Sequence, residues 1–291
     1  MLYDEIVTRT AIDKGWSGDK KYLAVTKDGT KYLLRTTDIE KAEKWQKMFQ
    51  MQQRVASLGL KMCEAVEIGQ CEEGIYTLQT WIEGNDARDV IGQFCGKTQY
   101  AMGYNAGVML KKIHSIPAPE FQPKWEPRFN AKIDRKIRLY QNSEVKFDGA
   151  KYMLEYIEQN RQLLANRPQC YQHGDYHIGN MMISGEDIYI IDFDRYDFGD
   201  PWEEFNRIVW CAQASPAFAV GMVDGYFDGK PPIEFWKLLA LYICSNTLSS
   251  IPWAIPFGEQ EINVMLNQAK EVLEWYGNMT DPVPTWYKNF R

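Results

Sequence analysis

Residues 170–194, CYQHGDYHIGNMMISGEDIYIIDFD, constrain the possible folds of this chain more than any other stretch. Two short segments rich in β-branched, aromatic and other apolar residues, 181–183 and 188–193, flank the tetrapeptide Ser-Gly-Glu-Asp at 184–187. Such segments favour strands, and such a tetrapeptide is typical of a tight turn. The pattern therefore predicts an antiparallel β-hairpin.

Two polar residues mark one edge of this predicted hairpin. Asn180 opens the first strand, and Asp192 lies near the end of the second. Because the start of the first strand lies beside the end of the second in an antiparallel hairpin, we expect the two side chains to meet. Magnesium prefers oxygen ligands and often takes one or two protein groups together with phosphates. We therefore predict that Asn180 and Asp192 bind Mg²⁺.

A third polar residue, Asp175, precedes Asn180 by five positions. The spacing Asp-x-x-x-x-Asn, followed by an Asp at the end of a strand, matches the catalytic loop and the metal-binding motif of protein kinases. Here the motifs are HGDYHIGN and IDFD, and this spelling resembles the aminoglycoside phosphotransferase family and related small-molecule kinases, including choline kinases. Each residue alone has an ordinary interpretation as a turn residue, and the combined spacing favours the catalytic one.

The resemblance implies an α+β fold of the two-lobed protein-kinase type. A small lobe of β-sheet and helix would span residues 1–83, and a larger, mainly helical lobe would span residues 84–291. In such a fold Asp175 orients the acceptor hydroxyl and accepts its proton, with ATP (or GTP) as phosphoryl donor and Mg²⁺ as metal. In the family, an acid at the position of Glu204 braces the catalytic loop, and we carry that role over.

A histidine in the loop, His173, is interpreted as bracing it through a hydrogen bond to the backbone. The chain has three histidines and no cysteine beside them at ligand spacing, which argues against a zinc site. The Asp-Phe-Gly sequence at 197–199 looks like the kinase metal motif. Asp192 already has the strand context and the distance from Asn180 that this role needs, so we place residues 197–199 outside the metal site.

The amino-terminal part contains features expected of a nucleotide site. Two predicted strands, 22–26 and 31–37, flank an Asp-Gly turn that is typical of hairpins. A glycine-bearing turn before them would cover the phosphates of a nucleotide with backbone N–H groups. The candidate residues in that turn are Gly15, Ser17 and Gly18.

Two further regions complete the predicted nucleotide site. Arg35 lies where kinases usually have a phosphate-pairing lysine, and its guanidinium is suited to phosphate. The helix expected to begin with Asp38 as its cap offers no clear acidic partner for Arg35. At the end of the next predicted strand, 75–82, the resemblance implies that adenine would lie against backbone groups near Thr80 and Ile82.

Composition is ordinary for a soluble globular protein, with 45% hydrophobic and 25% charged residues. The six cysteines are scattered without a C-x-x-C pair, which indicates reduced thiols and a cytoplasmic location. No signal peptide and no apolar run of membrane-spanning length is evident. The net charge of −6 disfavours nucleic acid and anionic membranes as partners.

The charge distribution bears on the substrate. Residues 1–83 carry 12 basic and 13 acidic side chains, a net charge of −1, which leaves −5 for the remainder. Surplus carboxylates attract cations, although they also aid solubility. We therefore predict a phosphotransferase with an alcohol acceptor, acting on a small, amine-bearing molecule such as an aminoglycoside-like antibiotic. Two alternatives remain: a kinase of an amino alcohol or sugar metabolite, and a non-catalytic nucleotide-binding protein.

Overall fold

The computed structural model describes residues 1–13 and 18–290. The strands are β1 (Ile6–Ala11), β2 (Lys20–Thr26), β3 (Lys31–Thr37), β4 (Ala65–Cys71), β5 (Gly74–Thr80), β6 (Asn85–Asp86), β7 (Cys170–Gln172), β8 (Met181–Ser184), β9 (Asp187–Ile190) and β10 (Asp197–Gly199). The α-helices are α1 (Ala42–Ala56), α2 (Ala87–Val90), α3 (Gly96–Ile113), α4 (Trp125–Asn142), α5 (Ala150–Asn160), α6 (Ile208–Ala214), α7 (Pro216–Phe227), α8 (Ile233–Ala254), α9 (Glu259–Trp275) and α10 (Thr285–Lys288). Short 3₁₀-helices cover Leu2–Glu5, Ile39–Lys41, Ile91–Gln93, Arg161–Leu164, Ile178–Asn180, Glu203–Arg207 and Ile255–Phe257.

Backbone contacts divide the chain into two compact units. The first consists of Met1–Ala87 and Asn180–Tyr196, and the second of Arg88–Gly179 and Asp197–Arg291. The first unit therefore combines two separate pieces of the chain, one of which carries the predicted hairpin. The division into lobes at residues 1–83 and 84–291 stays a prediction.

A five-stranded antiparallel sheet in the order β1-β2-β3-β5-β4 forms the main part of the first unit. One of its faces buries Ala24, Leu34, Tyr76 and Leu78 completely. Because neighbouring side chains along a strand point to opposite faces, Arg35 lies on the other face of β3. Its guanidinium carbon is 5.7 Å from the ring centroid of Trp45 on α1.

The predicted hairpin is present as β8 and β9, and β6 extends it to a three-stranded sheet. Backbone hydrogen bonds connect β9 to the segment after α1: the Ile190 N–H donates to the Lys61 carbonyl, and the Cys63 N–H donates to the Ile190 carbonyl, each at 3.0 Å. The second strand ends at Ile190 and not at residue 193 as predicted. Asp192 has a φ of 66°, in the left-handed region, so the chain leaves the strand before the carboxylate.

The helix that follows β3 starts differently from the prediction. Ile39–Lys41 forms a 3₁₀ turn, and α1 begins at Ala42. The prediction that Asp38 caps the helix is wrong, because its side chain makes no capping hydrogen bond. The extra turn separates the acid from the first N–H groups of α1.

Helices make up most of the second unit, together with the short antiparallel pair of β7 and β10. Helices α3 and α7 pack with their backbones in contact. A Cβ atom on Gly107 or on Gly221 would collide with a carbonyl oxygen of the other helix, so this packing requires glycine at both positions.

The most apolar helical region of the second unit is Ile233–Phe257. The expectation that no apolar run reaches membrane-spanning length is wrong for this segment, which by length and composition alone could cross a membrane, but 67% of its apolar window is buried inside the protein. Burial of this kind is typical of the core helix of a globular protein.

Candidate active site

The catalytic loop, residues 173–179, follows β7 in the second unit. Gly174 has a φ of 86°, which turns the chain directly before Asp175. The buried carboxylate of Glu204 accepts hydrogen bonds from the backbone N–H groups of Gly174 at 3.0 Å and of Tyr176 at 3.3 Å. The loop backbone is therefore held on both sides of Asp175.

His173 is fully buried at the start of the loop. Its Nδ1 accepts the backbone N–H of Asp175 at 3.3 Å, and its ring lies edge-on to Tyr176 with centroids 5.7 Å apart. This is a hydrogen bond to the backbone of the loop. It leaves the Asp175 side chain as the part of the residue that faces other polar groups.

Positively charged and imidazole nitrogens surround the Asp175 carboxylate. Its Oδ1 is 3.3 Å from Nε of Arg207 and 3.5 Å from Nε2 of His177. The Asp175 side chain is 14% exposed and that of Arg207 is 28% exposed. The candidate base is thus partly accessible, with a permanent cation at one side.

Arg35, in the first unit, is a buried cation that is surrounded by carboxylates. Its side chain is 4% exposed, and its Nε donates to Oδ2 of Asp19 at 2.6 Å. Both terminal nitrogens donate to the carboxylate of Asp194 in a bidentate pair, one of them at 2.6 Å. A third carboxylate, that of Asp192, lies 3.9 Å away. Burial opposes the charged form of Arg35, but the charges and hydrogen bonds of Asp194 and Asp19 together outweigh it and raise the pKa of the guanidinium.

Asp192 lies beside this cluster, and the charges of the cluster change the pKa of its carboxyl group. Burial raises the pKa of its carboxyl, and the negative charge of Asp194 raises it further, whereas the positive charges of Arg35 and Lys21 act in the opposite direction. Before a cation binds, the carboxylates around Arg35 outnumber the cations that contact them. The arrangement therefore favours binding of an additional positive ion.

The hairpin edge brings the backbones of the two predicted metal ligands together. Met181 and Ile190 form the last register pair, and the Ile191 N–H donates to the Asn180 carbonyl at 3.0 Å. Asp192 is the next residue. Across residues 1–13 and 18–290, no group of three or more His, Cys, Asp and Glu is arranged to hold a metal. One carboxylate and one carboxamide nevertheless fit Mg²⁺, which often completes its shell with phosphate oxygens and water.

The remaining nucleotide-site predictions concern backbone groups. Gly15 and Ser17 lie outside the described residues, and no atom of the described residues lies within 4 Å of the position that a Cβ on Gly18 would take. The Thr80 N–H donates to the Glu64 carbonyl at 3.0 Å, so this group is already used within the fold. Ile82 lies just beyond β5, where the chain has left the sheet and its backbone groups take no part in the ladder.

Sequence reasoning missed several charged neighbours of the predicted residues. Asp19 and Asp194 contact Arg35 from 16 and 159 positions away, and no spacing rule connects them. Arg207 had a weak signal, because it follows Glu204 by three positions within a 3₁₀-helix, in which side chains three apart eclipse. Asp197, excluded from the metal site on sequence grounds, contacts Arg128 at 3.2 Å within the second unit.

Comparison with known proteins identifies a family match over most of the chain. The model of the phosphotransferase enzyme family matches residues 8–236. No curated protein matches the chain in sequence.

Several solved structures share the fold. A thermostable mutant of aminoglycoside phosphotransferase APH(4)-Ia, in ternary complex with AMP-PNP and hygromycin B, has 15% identity and a TM-score of 0.67 over 92% of this chain and 94% of that chain. ADP-bound aminoglycoside phosphotransferase APH(2'')-Ib has 15% identity and a TM-score of 0.63 over 93% and 98%. A choline/ethanolamine kinase family protein from Mesorhizobium loti has 17% identity and a TM-score of 0.66 over 94% and 91%. These similarities confirm the predicted α+β, protein-kinase-like fold.

Proposed function

Because this chain belongs to the phosphotransferase enzyme family, we propose that it transfers the γ-phosphoryl group of ATP to a hydroxyl group of a small molecule. The observation that carries the proposal is the braced catalytic loop, in which Glu204 holds the backbone on both sides of Asp175. Phosphoryl transfer depends mainly on positioning and on stabilisation of charge, so a rigidly held base is the part that the protein must supply.

In the proposed reaction Asp175 orients the acceptor hydroxyl and accepts its proton. The acceptor oxygen forms a bond to the γ-phosphorus while the bond between that phosphorus and the bridging oxygen breaks, which releases ADP. His173 and Glu204 act through the loop backbone and fix the position of Asp175. A non-catalytic nucleotide-binding protein is the alternative, but such a protein would not need an acid held in place by its loop.

Asn180 and Asp192 would hold Mg²⁺, which neutralises phosphate charge when it is bound. The carboxylates around Arg35 support this proposal, because their negative charge exceeds the positive charge of the cations that contact them. The proposed contact of Arg35 with phosphates requires it to exchange at least one of its carboxylate partners, Asp19 or Asp194. We keep Gly18, Thr80 and Ile82 as proposed nucleotide contacts, together with Gly15 and Ser17.

For the acceptor, the first proposal is an amine-bearing, aminoglycoside-like molecule. The neighbour that was crystallised with hygromycin B supports it. An amino alcohol or a sugar is the second candidate, and the choline/ethanolamine kinase family neighbour supports it. A cytoplasmic location is proposed as well, since the six cysteines are free thiols, four of them buried.

The test is a screen of hydroxylated amines, amino alcohols and sugars with ATP and Mg²⁺. Release of ADP and the mass of a phosphorylated product are measured for the wild type and for Asp175→Asn. Product formation that depends on Asp175 supports the proposal. Tight nucleotide binding without ADP release or product formation would support the non-catalytic alternative.

A further inference from the structure

We propose that the acceptor carries an anionic group, a carboxylate or a phosphate, close to its reacting hydroxyl, and that Arg207 and Lys136 bind this group. The inference rests on the proposed function, since it concerns the acceptor site of the same reaction. It differs from the amine-bearing acceptor suggested by the net charge and by one structural neighbour.

Arg207 is the first element of this anion site. Its Nε lies 3.3 Å from Oδ1 of Asp175, which places the guanidinium directly beside the proposed base. In the described part of the chain, no other carboxylate lies within 4.0 Å of Arg207. A guanidinium has five N–H donors in a planar fork that matches a carboxylate or a phosphate. A single contact with Asp175 leaves most of these donors available to a ligand.

Lys136, on α4, is the second element. It is partly buried, and no acidic group among the described residues lies within 4.0 Å of its ammonium. Its neighbours include more cations than anions: Lys132, Arg135 and Arg207 against Glu203. Burial, followed by the charge of Lys132, lowers the pKa of Lys136 to about 7. A partly buried cation among like charges is unfavourable, and an anionic ligand would supply the missing partner.

Glu203 does not compensate for these cations. It is already paired with Lys132, whose Nζ lies 3.2 Å from Oε1 of Glu203. Although burial opposes its ionised form, the charges of Lys132 and Lys136 lower the pKa of Glu203, so it remains a carboxylate. One carboxylate shared between two lysines leaves Lys136 and Arg207 with a surplus of positive charge.

An imidazole and an aromatic ring lie on the other side of Asp175. His177 lies 3.5 Å from Asp175, and its ring centroid is 6.4 Å from that of Trp210. The guanidinium of Arg88 is stacked over Trp210 at 5.3 Å. An acceptor at Asp175 would therefore meet cations and an aromatic ring. These cations would repel an ammonium group of the acceptor, whereas they would attract an anionic group.

The test uses acceptors that share a skeleton and differ in the charge of one substituent. One series is glucosamine, glucose, glucuronate and glucose phosphate, and a second is ethanolamine, ethanol and glycolate. For each, kcat and KM are measured by ADP release for the wild type, Lys136→Met and Arg138→Gln. Arg138 is a matched control, because it is an exposed cation on the same helix.

We expect the wild type to prefer an anionic member over its neutral counterpart by about tenfold or more in kcat/KM. This is the scale of one charge-assisted hydrogen bond. Lys136→Met should remove most of that preference through KM, with kcat changed little, and Arg138→Gln should retain it. Preference for glucuronate over glucose phosphate, or the reverse, identifies the anionic group as carboxylate or phosphate.

Binding is measured separately by the thermal stabilisation that glucuronate and glucose phosphate give over chloride at equal ionic strength. Stabilisation of the wild type and Arg138→Gln, but not of Lys136→Met, supports the anion site. If neither anion stabilises the wild type, the inference is wrong, whatever the turnover shows. Preferred phosphorylation of glucosamine or ethanolamine, unchanged in Lys136→Met, overturns the inference and leaves the proposed function intact. Absence of Asp175-dependent ADP release with every acceptor overturns the proposed function itself.

Discussion

Arg35 and Asp175, two charged residues that the sequence predicts to be functional, lie in opposite electrostatic environments. Arg35 is a buried cation that contacts Asp19 and Asp194 in the first unit. Asp175 is a partly exposed anion that contacts Arg207 and His177 in the second. Carboxylates surround the first side chain, whereas a guanidinium and an imidazole lie beside the second.

This contrast shows why total charge is a poor guide to the ligand of a site. Interactions between exposed charges are largely screened beyond about 10 Å at ordinary salt concentrations. A net charge of −6 spread over 291 residues therefore says little about the field at one carboxylate. The residues within a few ångströms decide it, and near Asp175 these are Arg207 and His177.

The largest expected effect is on turnover, and it tests the environment of Asp175. Asp175→Asn keeps the size of the side chain but removes the base, so kcat should fall by roughly 10²–10⁴-fold. Nucleotide affinity should change little. Steady-state kinetics and ADP titration would check both quantities, and wild-type turnover at saturating acceptor would exclude Asp175 as the base.

The next largest effect is on stability, and it tests the environment of Arg35. Arg35→Met leaves the carboxylates of Asp19 and Asp194, which are largely shielded from solvent, without their cation, so the free energy of unfolding should fall by about 3–5 kcal/mol. Lys31→Met is a matched control on the same strand, because Lys31 pairs with Glu83 on the surface. Urea denaturation of both variants measures the difference. Equal losses would mean that the Arg35 cluster contributes no more than a surface ion pair.

A smaller effect is expected from the brace beneath Asp175. Glu204→Gln keeps the shape but weakens the acceptor for the N–H groups of Gly174 and Tyr176, so kcat should fall by roughly ten- to a hundredfold. The KM for ATP should stay close to the wild-type value. Glu234→Gln, at an exposed position, serves as the control. A change in thermal stability without any change in kcat would show that the brace does not position the base.

The smallest expected effect is a dependence of stability on pH. The lowered pKa of Lys136, about 7 against an ordinary value of 10.5, means that the unfolded chain binds more protons between these values. Stability of the wild type should therefore rise with pH across that window, and the cost of the charged ammonium should be full below pH 7.

Lys136→Met removes this cost. Its gain in the free energy of unfolding over the wild type should be largest near pH 6, on the order of 1 kcal/mol after screening by solvent, and should shrink by pH 9. Melting temperatures in a buffer without phosphate or sulfate test this. A gain that does not vary with pH would show that Lys132, Arg135, Arg207 and Glu203 do not act on Lys136 as the structure indicates.

Local patterns in the sequence predicted much of the fold but few of the charge contacts. The hairpin of β8 and β9 was predictable because its strands, its turn and its polar edge lie within one short stretch. The shortening of β9 was not, because the positive φ of Asp192 depends on its surroundings. The partners of Arg35 were sought on α1, where kinases have an acid, but the buried polar residue there is Gln52, which donates to the Cys63 carbonyl at 2.8 Å.

The contacts of β9 also have a consequence for how the chain folds during synthesis. Ile190 exchanges backbone hydrogen bonds with Lys61 and Cys63, which leave the ribosome more than a hundred residues earlier. The first unit therefore remains incomplete until Arg88–Gly179 has been made. Until then the N–H of Cys63 and the carbonyl of Lys61 must be satisfied by water or by a transient partner. We expect the amino-terminal sheet to be most prone to aggregation and to chaperone binding in this interval, because closing so long a loop is slow.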